Sequence, residues 1–194
     1  MKPVLLESFY KVFDLYKPKT LCEIGTHNAK SAVQFIDYCI KFNSDLSYTG
    51  YDVFDDVKNN TEFHSREING KGAGNFRIAK KSLDHRQNKF KNFQYKLIKG
   101  YTVNTLTSAA YDFVYIDGGH SYETVKHDYS KLKESKLIIF DDYQTEGVKL
   151  FIDELFDELS YPTLEWEDAL SYDKTCVTFL PIKNKHIQAA ILKR

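Results

Sequence analysis

Apolar residues along this chain follow two periods, and the two alternate. Residues 20–24 (TLCEI), 46–51 (LSYTGY), 93–98 (FQYKLI), 112–116 (DFVYI) and 136–140 (KLIIF) are short runs of the kind that form buried strands. Between them the spacing becomes helical. Leu5, Phe9, Val12 and Tyr16 share one face before the first run, and Ala29, Ala32, Val33, Ile36 and Ile40 follow it. Tyr122, Val125, Tyr129 and Leu132 line a third helix, with Ser121 placed to cap it and Glu123 in its first turn. Val148, Phe151, Ile152, Leu155, Phe156 and Leu159 line a fourth. Residues 164–169 and 175–180 read as two last strands joined by a short SYDK turn.

This alternation predicts an α/β fold. The expected form is a doubly wound, mostly parallel, seven-stranded sheet of Rossmann-like type, with helices on both faces and a C-terminal antiparallel hairpin. No linker or repeat divides the 194 residues, so one domain over 1–194 is expected. The irregular stretch 57–92, containing NNTEFHSREINGKGAGNF, is expected to be an insertion lying over the substrate as a lid.

Charge alters this picture locally. Lys+Arg and Asp+Glu both total 27, which gives no global pull toward nucleic acid or an anionic membrane. Residues 57–99, however, hold eleven Lys/Arg against three Asp/Glu, and residues 112–173 hold sixteen acids against five bases. The basic stretch is expected to meet an anionic group of a substrate. Cys22, Cys39 and Cys176 are an odd, widely spaced set, which argues against a disulfide framework and for a reducing compartment. Glu7, Lys11 and Asp14 interrupt the N-terminal apolar positions, so no signal peptide is read there. No apolar run is long enough to span a bilayer, and a cytoplasmic location is expected.

In a doubly wound sheet, ligands bind beyond the carboxyl ends of the strands, near the point where strand order reverses. Those ends carry Glu23 and Gly25, then Asp52, Gly100, Asp117, and Asp141 with Asp142. The turn EIGTHNAKSA combines close backbone approach at Gly25 with a helix start that can hold an anion. It lacks GxGxxG, so the dinucleotide fingerprint is absent. Asp52 could accept from ribose hydroxyls, and His27 could line the ligand. Asp117, Asp141 and Asp142, at the ends of adjacent strands, offer hard oxygen ligands suited to Mg²⁺, Mn²⁺ or Ca²⁺. The bland reading of FDDY is that its acids merely start a loop. His120 lies three residues beyond Asp117, within reach of a cation-held oxygen, whereas His64, His85, His127 and His186 read as ordinary polar residues.

These motifs resemble the class I S-adenosylmethionine-dependent methyltransferases. More narrowly they are similar to the family-24 type, related to the metal-dependent catechol and macrocin-type O-methyltransferases, from about Thr20 to Leu180. The family pattern E-x-G-x-x-x-G-x-S is met by Glu23, Gly25 and Ser31, with Ala29 in place of the second glycine. DGGHSYE and IIFDD resemble the family's D-G-D-H-S-Y-E and I-I-x-D-D. The resemblance implies that Glu23, Gly25, Thr26, His27, Ser31, Asp52, Val53, Gly100, Tyr101 and Asp117 hold S-adenosylmethionine, with Asp52 on the ribose and Val53 beside the adenine. It implies that Asp117, Asp141 and Asp142 bind a divalent cation, Mg²⁺ first. Gly119 departs from the acid of many relatives, which moves the acid–base role to His120, with Asp117 as its catalytic neighbour.

The activity that the resemblance implies is S-adenosylmethionine-dependent methylation, with metal-dependent O-methylation expected, of a small hydroxylated acceptor such as a sugar, sugar nucleotide or natural-product-like molecule, carrying phosphate or carboxylate. A non-catalytic nucleoside-binding member of the fold is the alternative. Nucleic-acid methylation is disfavoured by the neutral charge and by the lack of an Asn/Asp-Pro-Pro-aromatic motif. Homo-oligomerisation is left open.

Overall fold

Five short strands, β1 (Thr20–Ile24), β2 (Leu46–Asp52), β3 (Phe93–Lys99), β4 (Phe113–Ile116) and β5 (Leu137–Phe140), pair in parallel in the order β3-β2-β1-β4-β5. The computed structural model describes residues 3–42, 45–56, 73–180 and 187–193. Strands β4 and β5 are buried along their whole length, as parallel strands covered on both faces must be. The chain runs from β1 outward through β2 to β3, then returns to β4 on the other side of β1. The switch point therefore lies between β1 and β4, and it places Gly25 beside Asp117.

Helices α1 (Pro3–Tyr16), α2 (Lys30–Cys39) and α3 (Phe76–Lys89) bury their apolar positions in one layer. Phe9, Phe13, Phe35 and Phe113 meet there, with Phe13 edge-on to Phe113 at a centroid distance of 4.9 Å. Such pairs contribute about 0.5–1.5 kcal/mol beyond the area they bury. Helices α5 (Tyr122–Leu132) and α6 (Glu146–Leu159) cover the other face through Val125, Leu132, Val148, Phe151 and Ile152; a short helix, α4 (Thr102–Thr105), precedes β4. Ser121 caps α5 as its sequence requires, its hydroxyl accepting from the Thr124 amide at 3.3 Å.

The C-terminal region departs from the expected pattern. Among the described residues the sheet has eight strands: β6 (Thr163–Leu164), β7 (Cys176–Leu180) and β8 (Gln188–Leu192) extend it in the order β5-β8-β7-β6. The antiparallel hairpin is β7–β8, not 164–169 with 175–180. Residues 166–171 form a helix, α7 (Trp166–Ser171), because Trp166 and Ala169 are spaced to bury one helical face. Within 163–171, Thr163 and Leu164 are the residues that pair with β7, in parallel. Within the expected insertion, Phe76–Lys89 is a helix capped by the Asn75 side chain; residues 57–72 lie outside the described residues. Among the described residues no helix is long and apolar enough to cross a membrane.

Candidate active site

Gly25 leaves β1 at φ +88°, a region that L side chains rarely adopt. A Cβ here would overlap the Asp117 carbonyl oxygen, so the β1 turn and the end of β4 touch backbone to backbone. The Gly25 and Thr26 amides both donate to the Tyr51 carbonyl, at 2.8 and 3.2 Å, and so are committed to β2. His27 and Ala29 then take φ of +50° and +59°. Ala29 is thus left-handed and fully buried, which explains why the matching family position favours glycine. Lys30 opens α2, whose first N–H groups have no intrahelical acceptor.

Asp52 is fixed by this turn. Its two carboxylate oxygens accept from the His27 amide at 2.7 Å and the Phe54 amide at 2.6 Å. Each oxygen has a second lone pair, so ligand hydroxyls can still be received.

Glu23 lies behind the turn and not on its surface. It is fully buried, and it accepts from Ser31 Oγ and Tyr48 Oη at 2.5 Å each. Burial pushes its carboxyl up to about 7; the Ser31 and Tyr48 hydrogen bonds oppose this, and the Asp52 charge adds to it. Tyr48 Oη also contacts Thr26 Oγ1 at 3.1 Å. Glu23 therefore braces β1, β2 and the start of α2.

A cleft of about 720 Å³ opens above these residues, within the range of small-molecule sites. Gly25, Thr26, His27, Ser31, Asp52, Val53, Gly100, Tyr101, Asp117 and His120 all line it. Glu23 is the one sequence-derived donor residue that does not.

The second group of acids adjoins this cleft. Asp117, Asp141 and Asp142 each present a carboxylate oxygen within 4.8 Å of the others. Asp142 sits at φ +52°, a strained value for a non-glycine residue. Its Oδ2 faces His120 Nε2 at 3.1 Å, and its Oδ1 accepts from Gln144 Nε2 at 2.8 Å. Asp141 Oδ1 accepts from Gln188 Nε2 at 2.7 Å. His120 is 8% exposed, and its Nδ1 is buried without a hydrogen-bond partner among the described residues. Tyr115, fully buried beneath, has its phenol held well above the ordinary range by burial first and then by the Asp117 and Asp141 charges. Three convergent hard oxygens, met by amides and an imidazole, form a donor set that fits a divalent cation.

Comparison with known proteins agrees with this geometry. The model of the family-24 methyltransferase domain matches residues 22–143, from β1 through the acid pair after β5. This chain belongs to the family-24 methyltransferases. It is therefore an S-adenosylmethionine-dependent methyltransferase of class I. No curated protein matches it at a significant level. Among solved structures, its fold is similar to that of an O-methyltransferase from Bacillus cereus in complex with S-adenosylhomocysteine. That pair has 14% identity and a TM-score of 0.59, covering 100% of this chain and 82% of that one. It is also similar to the O-methyltransferase TomG of Streptomyces achromogenes, involved in tomaymycin synthesis and in complex with S-adenosylmethionine (11% identity, TM-score 0.58, covering 100% and 82%). A methyltransferase from Geobacter sulfurreducens matches at 10% identity and a TM-score of 0.59, covering 100% and 81%.

Several residues of this methyltransferase's cleft are not singled out by its sequence, and His127, which reads there as an ordinary polar residue, is among them. Thr124, His127 and Asp128, one turn into α5, form part of the wall. Asp128 is 1% exposed, and a buried His127 Nε2 has no hydrogen-bond partner among the described residues. Helical spacing places His127 and Asp128 on the same face as Thr124. Gln188 was invisible because its partner Asp141 is 47 residues away. His64 and His186 lie outside the described residues.

Proposed function

We propose that this methyltransferase carries out divalent-cation-dependent O-methylation of a small hydroxylated acceptor bearing an anionic group. The observation that carries the reading is the junction of two sites at Asp117. Its residue lines the large cleft, and its carboxylate converges with Asp141 and Asp142. Two structural neighbours are O-methyltransferases, which supports oxygen as the accepting atom.

S-Adenosylmethionine would supply an electrophilic methyl group, and a cation such as Mg²⁺ would supply Lewis acidity to an acceptor hydroxyl. The chain's own part is to bind, orient and move a proton. Gly25 lets the backbone approach the donor, and Asp52, held by two amides, receives ribose hydroxyls. Val53, Gly100 and Tyr101 bound the end of the cleft assigned to adenine. His120 lines the cleft with its Nε2 against Asp142 Oδ2, and its imidazole is the group assigned to take the hydroxyl proton. Asp142 then stabilises the resulting imidazolium, as the carboxylate of a His–Asp pair does. General-base help of this kind contributes roughly 10²–10⁴-fold. Holding donor and acceptor in line accounts for much of the remaining rate.

The anionic acceptor is inferred from the eleven Lys/Arg of residues 57–99, a segment that includes the cleft-lining Ala73 and Gly74. The test is to strip the enzyme with chelator and offer matched acceptors with and without phosphate or carboxylate. Formation of S-adenosylhomocysteine is then followed as Mg²⁺ is restored. Cation-dependent turnover that favours anionic hydroxylated acceptors is expected. Turnover unaffected by chelator would remove the cation from the mechanism.

A further inference from the structure

Gln188 opens β8 on the far side of β5, and its side chain is fully buried. Its Nε2 donates to Asp141 Oδ1 at 2.7 Å and to Tyr115 Oη at 3.1 Å. Its Oε1 is buried with no hydrogen-bond partner among the described residues. An orphaned buried acceptor costs about 1–3 kcal/mol, so something else must fix the amide in this orientation. The contact that does so is the one to Asp141.

A second glutamine repeats the arrangement one residue along. Gln144 Nε2 donates to Asp142 Oδ1 at 2.8 Å, while its Oε1 accepts from the Ile187 amide at 3.2 Å. The Tyr143 amide donates to the Ile187 carbonyl at 3.1 Å. The acid pair that follows β5 is thus tied through two amides to the first residues of an antiparallel strand.

We propose that Gln188 is a positioning residue for a divalent cation at the acidic cluster, acting through Asp141, with Tyr115 as its support. This rests on the cation reading of the preceding section. A neutral donor occupies Oδ1 of Asp141 and so turns the other oxygen toward Asp117 and Asp142. Because the donor is uncharged, the cluster keeps the negative charge that attracts a cation. A lysine at this position would make the same hydrogen bond and cancel that charge. Groups that orient the ligands of a metal typically change its affinity by about 10–100-fold when removed.

The experiment titrates the chelator-treated enzyme with Mn²⁺ and reads free Mn²⁺ by electron paramagnetic resonance. Q188L should bind Mn²⁺ about 10–100-fold more weakly than wild type, and Q188K should bind it more weakly still. Affinity for S-adenosylhomocysteine, measured by calorimetry on the same proteins, should change less than threefold. A merely structural role would instead degrade both ligands together. Q188M, an apolar side chain of similar length, should show the same loss as Q188L and decides the matter should Q188L fail to fold. Wild-type Mn²⁺ affinity in folded Q188L, or in Q188M where Q188L does not fold, would overturn the inference alone. Absence of Mn²⁺ binding by the wild type would overturn the cation reading and this inference with it.

Discussion

Gly25 and Asp117 meet across the switch point so closely that even a methyl group on Gly25 would overlap the Asp117 carbonyl. The contact joins the turn after β1 to the first acid of the Asp117–Asp141–Asp142 cluster. A side chain at φ +88° is also strained in its own right, by about 1–2 kcal/mol for left-handed backbone. Gly25→Ala should therefore lower stability by at least about 2 kcal/mol and weaken S-adenosylhomocysteine binding at least tenfold. Chemical unfolding and calorimetry check the two effects separately.

The acid cluster should separate donor binding from turnover. Asp141→Ala is expected to reduce cation-dependent turnover by roughly 10²–10³-fold, the scale of losing one charge-stabilising group. Donor affinity should stay within about threefold, since Asp141 is not among the residues of the large cleft. Parallel steady-state rates and donor titrations on one preparation provide the check.

His120 should behave as a base and not as a donor contact. His120→Asn is expected to lower kcat by roughly 10²–10⁴-fold with little change in donor affinity. Asp142→Asn should show part of the same loss, because its Oδ2 is the partner of His120 Nε2. Single-turnover rates in saturating donor would report both.

Glu23 predicts a pH dependence of stability. Its carboxyl has an ordinary value of 4.5 and sits at about 7 in the folded protein, chiefly through burial. Between those values the folded state binds more protons than the unfolded chain, so stability falls as pH rises and levels off above about 7. From pH 5.5 to 8 this one group should remove about 2 kcal/mol, at 1.36 kcal/mol per unit. Glu23→Gln should flatten that part of the curve. Urea unfolding of both proteins at the two pH values measures the difference.

The sequence exposed the parallel half of the fold and the rim chemistry for one reason. Strands β1, β4 and β5 are dense apolar runs, and the candidate site residues sit at or just past the strand ends, as Asp52 at the end of β2 and Asp117 after β4 do. The C-terminal third was less legible. In residues 163–171 a strand and a helix compete over a segment too short for periodicity to decide, and Trp166 with Ala169 favours the helix through burial. Residues 188–192 form β8 because a hydrogen-bonded partner lies on each side, which no local pattern records. The same limit hid Gln188 and Asp128, whose meaning depends on what another element brings near. Ala29 was the reverse case: a departure visible in the motif, whose left-handed backbone only the structure could show.

Calorimetric titration of the wild-type enzyme with S-adenosylmethionine, repeated with its Asp52→Ala variant, is the most direct test of the cleft as the donor site. The expected result is one donor per chain, with affinity at least tenfold weaker once Asp52 no longer receives the ribose. No binding of S-adenosylmethionine at millimolar concentration by the folded wild-type protein would contradict it.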